Sequence, residues 1–203
     1  PHTIAPISFD VEPSGSGPAI QPRQWQTHLI QLLRRRLDGE ATGEQDVLVF
    51  AGPGAGKTLG ALLAFRSMRR EQRLQHFLVF CHRTSILEQW QRAAARLGLS
   101  LVSWPCEPGR LSQADGLLLT YQSAGRQPQQ LAAALRPWPS SSQLAIADEA
   151  HPLGLDPDEP GAAAWSLSFE EQTSHCRLRL GLTGTPFRAD NLGFCAARRI
   201  RTV

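Results

Sequence analysis

The sequence predicts a three-layer α/β domain with a mostly parallel central sheet. Short apolar runs recur along the chain, as expected of strands that are covered on both faces. Segments whose apolar residues follow a helical spacing separate these runs, as in sheets whose parallel strands are joined by helical crossovers. The chain has 203 residues, of which 41% are hydrophobic, and this is the size of one ordinary domain with a sizeable core.

The predicted elements begin at residue 23. Apolar residues at helical spacing predict a helix over 23–36, which ends in three arginines suited to a helix C-terminus. Strands are predicted at residues 47–51, 76–81, 99–104, 116–121, 143–147 and 177–183. Further helices are predicted from the end of a glycine-rich loop to about residue 70 and at 84–97, 129–135 and 162–173. Thr84 or Ser85 is the expected N-cap of helix 84–97.

The N-terminal segment differs in composition from the rest. Residues 1–22 carry five prolines and the tetrapeptide Ser-Gly-Ser-Gly, so we expect residues 1–21 to form a flexible arm. No apolar run approaches the roughly 18 to 20 residues that span a bilayer. The N-terminus also lacks the pattern of a secretory signal, and we therefore expect a cytoplasmic protein that does not bind a membrane.

The basic residues are unusual, because 20 are arginines and Lys57 is the only lysine. A phosphate-binding loop needs a slim ammonium that a planar guanidinium does not replace, so this single lysine marks a functional position. The net charge of +3 mildly favours a polyanionic partner. The four cysteines and six histidines lack metal-ligand spacing, which argues against a zinc site or a disulfide framework.

Residues 51–58 have the sequence AGPGAGKT and lie between a predicted strand and a predicted helix, the context of a phosphate-binding loop. Its glycines let backbone N–H groups turn toward a β-phosphate, while Lys57 reaches phosphate oxygens and the Thr58 hydroxyl holds Mg²⁺. The residues expected to bind the nucleotide here are Gly52, Pro53, Gly54, Ala55, Gly56, Lys57 and Thr58. The alternative is a glycine-rich turn without a ligand.

Two carboxylates, Asp148 and Glu149, follow the predicted strand 143–147 at its C-terminal end, where open parallel sheets bind ligands. We expect Asp148 to hold Mg²⁺, and Glu149 to orient and deprotonate the water that attacks the γ-phosphate. A strand that ends in Asp-Glu is often only a helix cap. The phosphate loop upstream is what favours the catalytic interpretation.

With both motifs, the sequence resembles the superfamily 2 helicases and translocases, in particular the DEAH-type group that includes restriction-enzyme motor subunits and DNA repair helicases. The resemblance covers about residues 22–190 and implies a RecA-like P-loop NTPase domain with ATP and Mg²⁺ as cofactors. It also implies that His151, the last residue of DEAH, links the γ-phosphate site to a coupling motif. The implied partner is nucleic acid, expected to be DNA.

Two segments near the N-terminal half support the resemblance. Residues 22–26, PRQWQ, look like the adenine-reading motif, in which Gln26 offers one donor and one acceptor to the base and Arg23 belongs to the same site. Residues 80–90 look like the segment after the second strand, where Arg83 is the candidate nucleic-acid contact.

Two further segments follow. Residues 118–123 resemble the next nucleic-acid-contacting stretch, with Thr120 and Tyr121 as candidates. Residues 181–188 resemble the motif that couples hydrolysis to nucleic-acid binding through Thr183 and Thr185, in a TGTP form more typical of DNA-acting members.

Each of these residues has a structural alternative. Gln26 could solvate a helix, Arg83 could form a surface ion pair, Thr183 and Thr185 could cap a turn, Tyr121 could pack in a strand, and His151 could be a core histidine.

Motors of the resembled kind contain two RecA-like domains, and the second supplies the arginine fingers. We expect residues 22–190 to be the first domain and residues 191–203 to begin a linker to a second domain absent from this sequence. The expected activity is ATP hydrolysis coupled to movement on DNA or to its unwinding, weak in the single domain. The alternatives are a non-catalytic ATP-dependent binding switch or remnant domain, and a P-loop kinase.

Overall fold

The computed structural model describes residues 20–38, 45–149 and 162–184, without the side chains of residues 162–167. Its helices are α1 (Gln24–Leu37), α2 (Lys57–Arg70), α3 (Thr84–Arg96), α4 (Pro108–Leu111), α5 (Tyr121–Arg126), α6 (Pro128–Leu135) and α7 (Ala162–Thr173), with a 3₁₀ turn at Ser140–Ser142. Its strands are β1 (Asp46–Phe50), β2 (His76–Cys81), β3 (Leu101–Ser103), β4 (Gly116–Thr120), β5 (Gln143–Ala147) and β6 (Leu178–Thr183). None of the helices in these ranges is long and apolar enough to cross a membrane.

The strands form one sheet in the order β1-β6-β5-β2-β4-β3, and every pairing between them is parallel. The predicted α/β class and parallel sheet are therefore confirmed. Because parallel strands end at the same edge of a sheet, the segments after β1, β5 and β6 meet at one place. The strand order sets β6 between β1 and β5, so the glycine-rich loop and the Asp-Glu pair lie on either side of the end of β6.

The sheet is buried on both faces, which explains the continuous apolar character of its strands. On one face Val47 and Val49 of β1 join the core that includes residues of α1, α2 and α3. On the other face Leu48 joins a second core, which includes Leu131 of α6 and Phe169 of α7. This is the predicted three-layer arrangement.

A buried ion pair joins the first residue of β1 to the second residue of β6. Arg179 donates two hydrogen bonds, at 2.5 and 2.9 Å, to the carboxylate of Asp46, its partner in the strand register. Burial raises the pKa of Asp46, and the hydrogen bonds from Arg179 offset part of that rise. The pair agrees with the register of the two strands, whose C-terminal ends lie next to the candidate site.

The observed elements differ from the predicted ones in three places. The N-cap of α3 is Arg83 and not Thr84 or Ser85, because Thr84 is already the first helical residue. Tyr121 begins α5 and does not end β4, since Thr120 and Ser123 form a reciprocal capping box that starts a helix there. The helix α4 was not predicted. The predicted arm at 1–21 and linker at 191–203 fall almost wholly outside the described residues.

Candidate nucleotide-binding site

The glycine-rich loop runs from the end of β1 to the first residue of α2, as predicted. Gly54 and Gly56 have φ angles of 72° and 80°, in the left-handed region that favours glycine. A Cβ added at Gly52 or Gly54 would meet no atom within 4 Å, so the loop borders open space. It leads into the N-terminus of a 14-residue helix, whose free N–H groups attract anions.

Three side chains at the start of α1 hold this loop by its carbonyl oxygens. The Arg23 guanidinium donates to Gly54 at 2.9 Å, the Trp25 indole N–H donates to Ala55 at 3.0 Å, and the Gln26 amide donates to Gly56 at 3.0 Å. In a trans peptide the N–H points opposite to the carbonyl. The N–H groups of Gly56 and Lys57 therefore point away from α1, which leaves them available to a phosphate.

Gln26 is 1% exposed, so the alternative that it only solvates a helix is wrong. Its amide oxygen accepts the backbone N–H of Arg23 at 2.9 Å, and its amide nitrogen is bound to the loop. Each polar end thus makes one hydrogen bond, and the amide keeps a second N–H and a second oxygen lone pair. Adenine binding by Gln26 and Arg23 stays a prediction.

The contact between α1 and α2 depends on Gly60. A Cβ placed on Gly60 would lie 2.5 Å from the Trp25 ring, a distance that real Cβ atoms do not adopt. Glycine at this position lets the indole reach the carbonyl of Ala55. Trp25 is one of the apolar residues whose helical spacing predicts the helix over 23–36, and that spacing gives no sign of this role or of the need for Gly60.

Lys57 spans the ends of the two neighbouring strands. Its ammonium donates to the carbonyl of Ala51, after β1, at 3.2 Å. The same ammonium would lie 2.8 Å from a Cβ on Gly184, the residue after β6. Thr183 itself is fully buried, and its carbonyl accepts the N–H of Ala51 at 3.0 Å. The ammonium therefore sits at the sheet edge where the strand ends converge.

Asp148 is buried at the end of β5, and its carboxylate is bound on both oxygens. One oxygen accepts the indole N–H of Trp90 at 2.8 Å, and the other accepts the backbone N–H of Glu149 at 3.0 Å. Burial raises the pKa of Asp148, and the Trp90 hydrogen bond opposes that rise. Glu149 follows with a φ of 51°, a left-handed conformation unusual for a residue with a side chain.

Cys81 lies near the same carboxylate at the end of β2. Burial, and secondarily the charge of Asp148, raise the pKa of this thiol to about 12. Cys81 is therefore a protonated core residue and not a nucleophile.

A cavity of about 710 Å³ brings together predicted residues of the loop, of α2 and of the segment after β5, whereas Arg23, Gln26, Pro53 and Thr183 are not part of its lining. Its lining includes Lys57 and Thr58 from α2, and Asp148 and Glu149 after β5. An ammonium, a hydroxyl, a helix N-terminus and two carboxylates on one cavity are a donor set that fits a magnesium-bound nucleotide. The α3 residues Ser85, Glu88, Gln89, Arg92 and Arg96 also line it, and none of them was among the predicted site residues.

The remaining candidate residues divide into three groups. Arg83 is exposed at the N-cap of α3, and Thr120 is half-buried at the N-cap of α5. Tyr121 is 3% exposed, which supports the alternative that it packs in the core and does not contact nucleic acid. It packs from a helix, however, and not from a strand. His151 and Thr185 lie outside the described residues.

The family of the chain follows from a match along most of its length. A family model described as type III restriction enzyme, res subunit, matches residues 19–188. The chain belongs to this family. The resemblance to superfamily 2 helicases is thereby confirmed, because the matching domain is the N-terminal domain of such helicases.

This res-subunit domain has relatives in mycobacteria. It is 31% identical over 153 residues to an uncharacterized protein of Mycobacterium leprae, covering 74% of this chain and 24% of the relative. It is 30% identical over 172 residues to an uncharacterized protein of Mycobacterium tuberculosis, covering 83% of this chain and 26% of the relative. The res-subunit domain thus spans about a quarter of the length of these curated relatives.

Solved structures show the same fold at low sequence identity. The SWI2/SNF2 ATPase core of Sulfolobus solfataricus in complex with dsDNA has a TM-score of 0.60 and 21% identity, over 82% of this chain and 32% of that one. A type ISP restriction-modification enzyme in complex with a DNA substrate mimic has a TM-score of 0.58 and 17% identity, over 85% and 18%. The Hef helicase domain of Pyrococcus furiosus has a TM-score of 0.56 and 19% identity, over 83% and 34%.

Proposed function

We propose that this res-subunit domain binds ATP with Mg²⁺ at the loop of residues 51–58 and hydrolyses it to drive movement on DNA. The observation that carries the proposal is the convergence on one cavity of the single lysine of the sequence and the two carboxylates after β5. These groups come from positions 57, 148 and 149, and only the fold brings them together.

The residues of the cavity divide the work of hydrolysis. The loop N–H groups and the Lys57 ammonium bind phosphate oxygens and fix the γ-phosphoryl group against the acidic side. Thr58 and Asp148 are the residues that would hold Mg²⁺, which when bound neutralises charge on the phosphates. Glu149 orients the attacking water and accepts its proton as the oxygen bonds to phosphorus and the ADP oxygen leaves.

DNA is the proposed partner, and the sheet edge supports it. Strands β2 and β4 are neighbours with Cys81 opposite Thr120, so the segments that carry Arg83 and Thr120 leave the sheet side by side. Two similar folds, the SWI2/SNF2 core and the type ISP enzyme, were solved with DNA or a DNA mimic. The net charge of +3 agrees with a polyanionic partner.

A second RecA-like domain is part of the proposal. The domain spans about a quarter of its curated relatives, which leaves ample length for such a partner. Arginine fingers raise the rate of phosphoryl transfer about 10³- to 10⁵-fold, so without them the 203-residue chain should be a weak ATPase.

Glu149→Gln tests the assignment, because glutamine keeps the size of the side chain and removes its basicity. ATP affinity, measured by calorimetry, should stay within about twofold, and phosphate release should fall about 10²- to 10⁴-fold. Glu88→Gln is the matched control, since Glu88 is an exposed glutamate that lines the same cavity. Turnover that survives in Glu149→Gln would remove the general-base role. ATP binding without any turnover in a longer chain that includes the second domain, with or without DNA, would favour the non-catalytic switch.

A further inference from the structure

Trp90 is a buried donor aimed at the magnesium-holding carboxylate. It lies on α3 with 0% of its surface exposed, and its indole N–H is 2.8 Å from an Asp148 carboxylate oxygen. A hydrogen bond to a charged acceptor is stronger than one between neutral groups, and a buried carboxylate loses more when its donor is removed. With the other oxygen bound by the N–H of Glu149, the plane of the carboxylate is fixed.

Tyr121 holds the same residue through its backbone. Its hydroxyl donates to the Asp148 carbonyl at 3.1 Å. The tyrosine ring packs against Phe80 and Phe169, with centroids 5.9 and 6.1 Å away, so the hydroxyl has little freedom to turn elsewhere. Asp148 therefore accepts hydrogen bonds from two aromatic side chains, one on α3 and one on α5.

These two helices begin at the candidate nucleic-acid contacts. Arg83 is the N-cap of α3, and Thr120 is the N-cap of α5. Trp90 lies seven residues after Arg83, about 10 Å along the helix, and Tyr121 directly follows Thr120. A shift of the start of either helix would therefore move an aromatic side chain that is hydrogen-bonded to Asp148.

We propose that Trp90 and Tyr121 are positioning residues that link the DNA-facing starts of α3 and α5 to the carboxylate that holds Mg²⁺. The inference rests on the proposed function and adds to it a second route of coupling, separate from the predicted motif at Thr183 and Thr185. It assigns no contact with nucleotide or DNA to either aromatic side chain.

Trp90→Phe tests the positioning role, because phenylalanine fills most of the space and lacks the N–H. The readout is ADP binding by calorimetry at increasing Mg²⁺ and in EDTA. The variant should need about tenfold more Mg²⁺ for half-maximal effect and bind ADP unchanged in EDTA. Trp138→Phe is the matched control, since Trp138 is buried and stacks on His76 at the opposite edge of the sheet, and its Mg²⁺ requirement should stay that of the wild type. An unchanged requirement in Trp90→Phe overturns the role.

A second measurement is made on the wild-type chain alone. The NMR signal of the Trp90 indole N–H, assigned with Trp90→Phe or by through-bond experiments, should shift when Mg²⁺ and ADP are added to the wild-type chain. The Trp138 signal should stay in place. A Trp90 signal that does not move at saturating Mg²⁺ and ADP contradicts the inference even if Trp90→Phe fails to fold.

The coupling is tested with a DNA duplex. Duplex DNA should lower the Mg²⁺ requirement of the wild-type chain about threefold or more, and Tyr121→Phe should reduce that effect to less than half. No effect of DNA on the wild type, or an undiminished one in Tyr121→Phe, would refute the link. If the wild-type chain binds no ADP at all, the proposed function itself fails. Normal Mg²⁺-dependent binding in the wild type with an unaltered Trp90→Phe refutes only this inference.

Discussion

The two sides of the proposed nucleotide cavity are held in place by different means. On the phosphate side, three side chains of one segment bind three consecutive carbonyl oxygens of the loop, across 30 or 31 residues of sequence. On the acidic side, Asp148 is held by donors from two separate helices, 58 and 27 residues upstream. The loop is held through its backbone carbonyls, whereas Asp148 is held through both its carboxylate and its backbone carbonyl.

The difference follows from what each side must present. A phosphate is bound by backbone N–H groups, and holding the opposite carbonyls sets the direction of those N–H groups. A metal-binding carboxylate must present free oxygen lone pairs, so its supports take only part of its acceptor capacity. Changes in the packing of α1 on α2 should therefore alter the phosphate side, and the loss of a single hydrogen-bond donor should alter the acidic side.

The largest effect should come from the phosphate side. Lys57→Ala removes the only lysine and should weaken ADP and ATP binding by about two orders of magnitude or more. Lys57→Arg should fail as well, because a planar guanidinium does not fit the place of a compact ammonium. Calorimetry decides, and an unchanged affinity in either variant would show that the loop does not bind phosphate through this residue.

A smaller effect should follow from crowding the contact that holds the loop. Gly60→Ala sets a methyl group 2.5 Å from the Trp25 ring and should lower the free energy of unfolding by about 1–3 kcal/mol, with a loss of nucleotide affinity as the indole leaves Ala55.

Gly125→Ala is the matched control. Gly125 lies within α5, and a Cβ there would meet only the Ser168 hydroxyl, at an ordinary contact distance of 3.6 Å. Its stability should stay equal or rise by up to about 1 kcal/mol from helix propensity. Urea unfolding measures both, and a Gly60→Ala chain as stable as Gly125→Ala would mean that Trp25 does not need this glycine.

Much of the fold was predictable because each strand is a short apolar run and the sheet is buried on both faces. The same criterion failed at Tyr121, which extends the apolar run of β4 but starts a helix. Apolar periodicity carries no information on the capping box of Thr120 and Ser123, which starts that helix.

The chemical groups of the candidate site were predictable because they stand in short motifs. The supports of the glycine-rich loop and of Asp148 were not, because Trp25 and Trp90 match the apolar spacing of their helices and their N–H groups find partners 30 and 58 residues away. A periodic pattern shows that an indole is buried and says nothing about the acceptor it meets. Only the fold reveals that pairing.

The most direct test is whether the two sides act as one site. ADP binding to the wild-type chain and to Asp148→Asn should be measured by calorimetry in Mg²⁺ and in EDTA. Mg²⁺ should strengthen binding to the wild type about tenfold or more. Asp148→Asn should lose that gain and keep the affinity seen in EDTA. A full Mg²⁺ effect in Asp148→Asn, or ADP binding in the wild type that is indifferent to Mg²⁺, would contradict a joint site formed by the loop and Asp148.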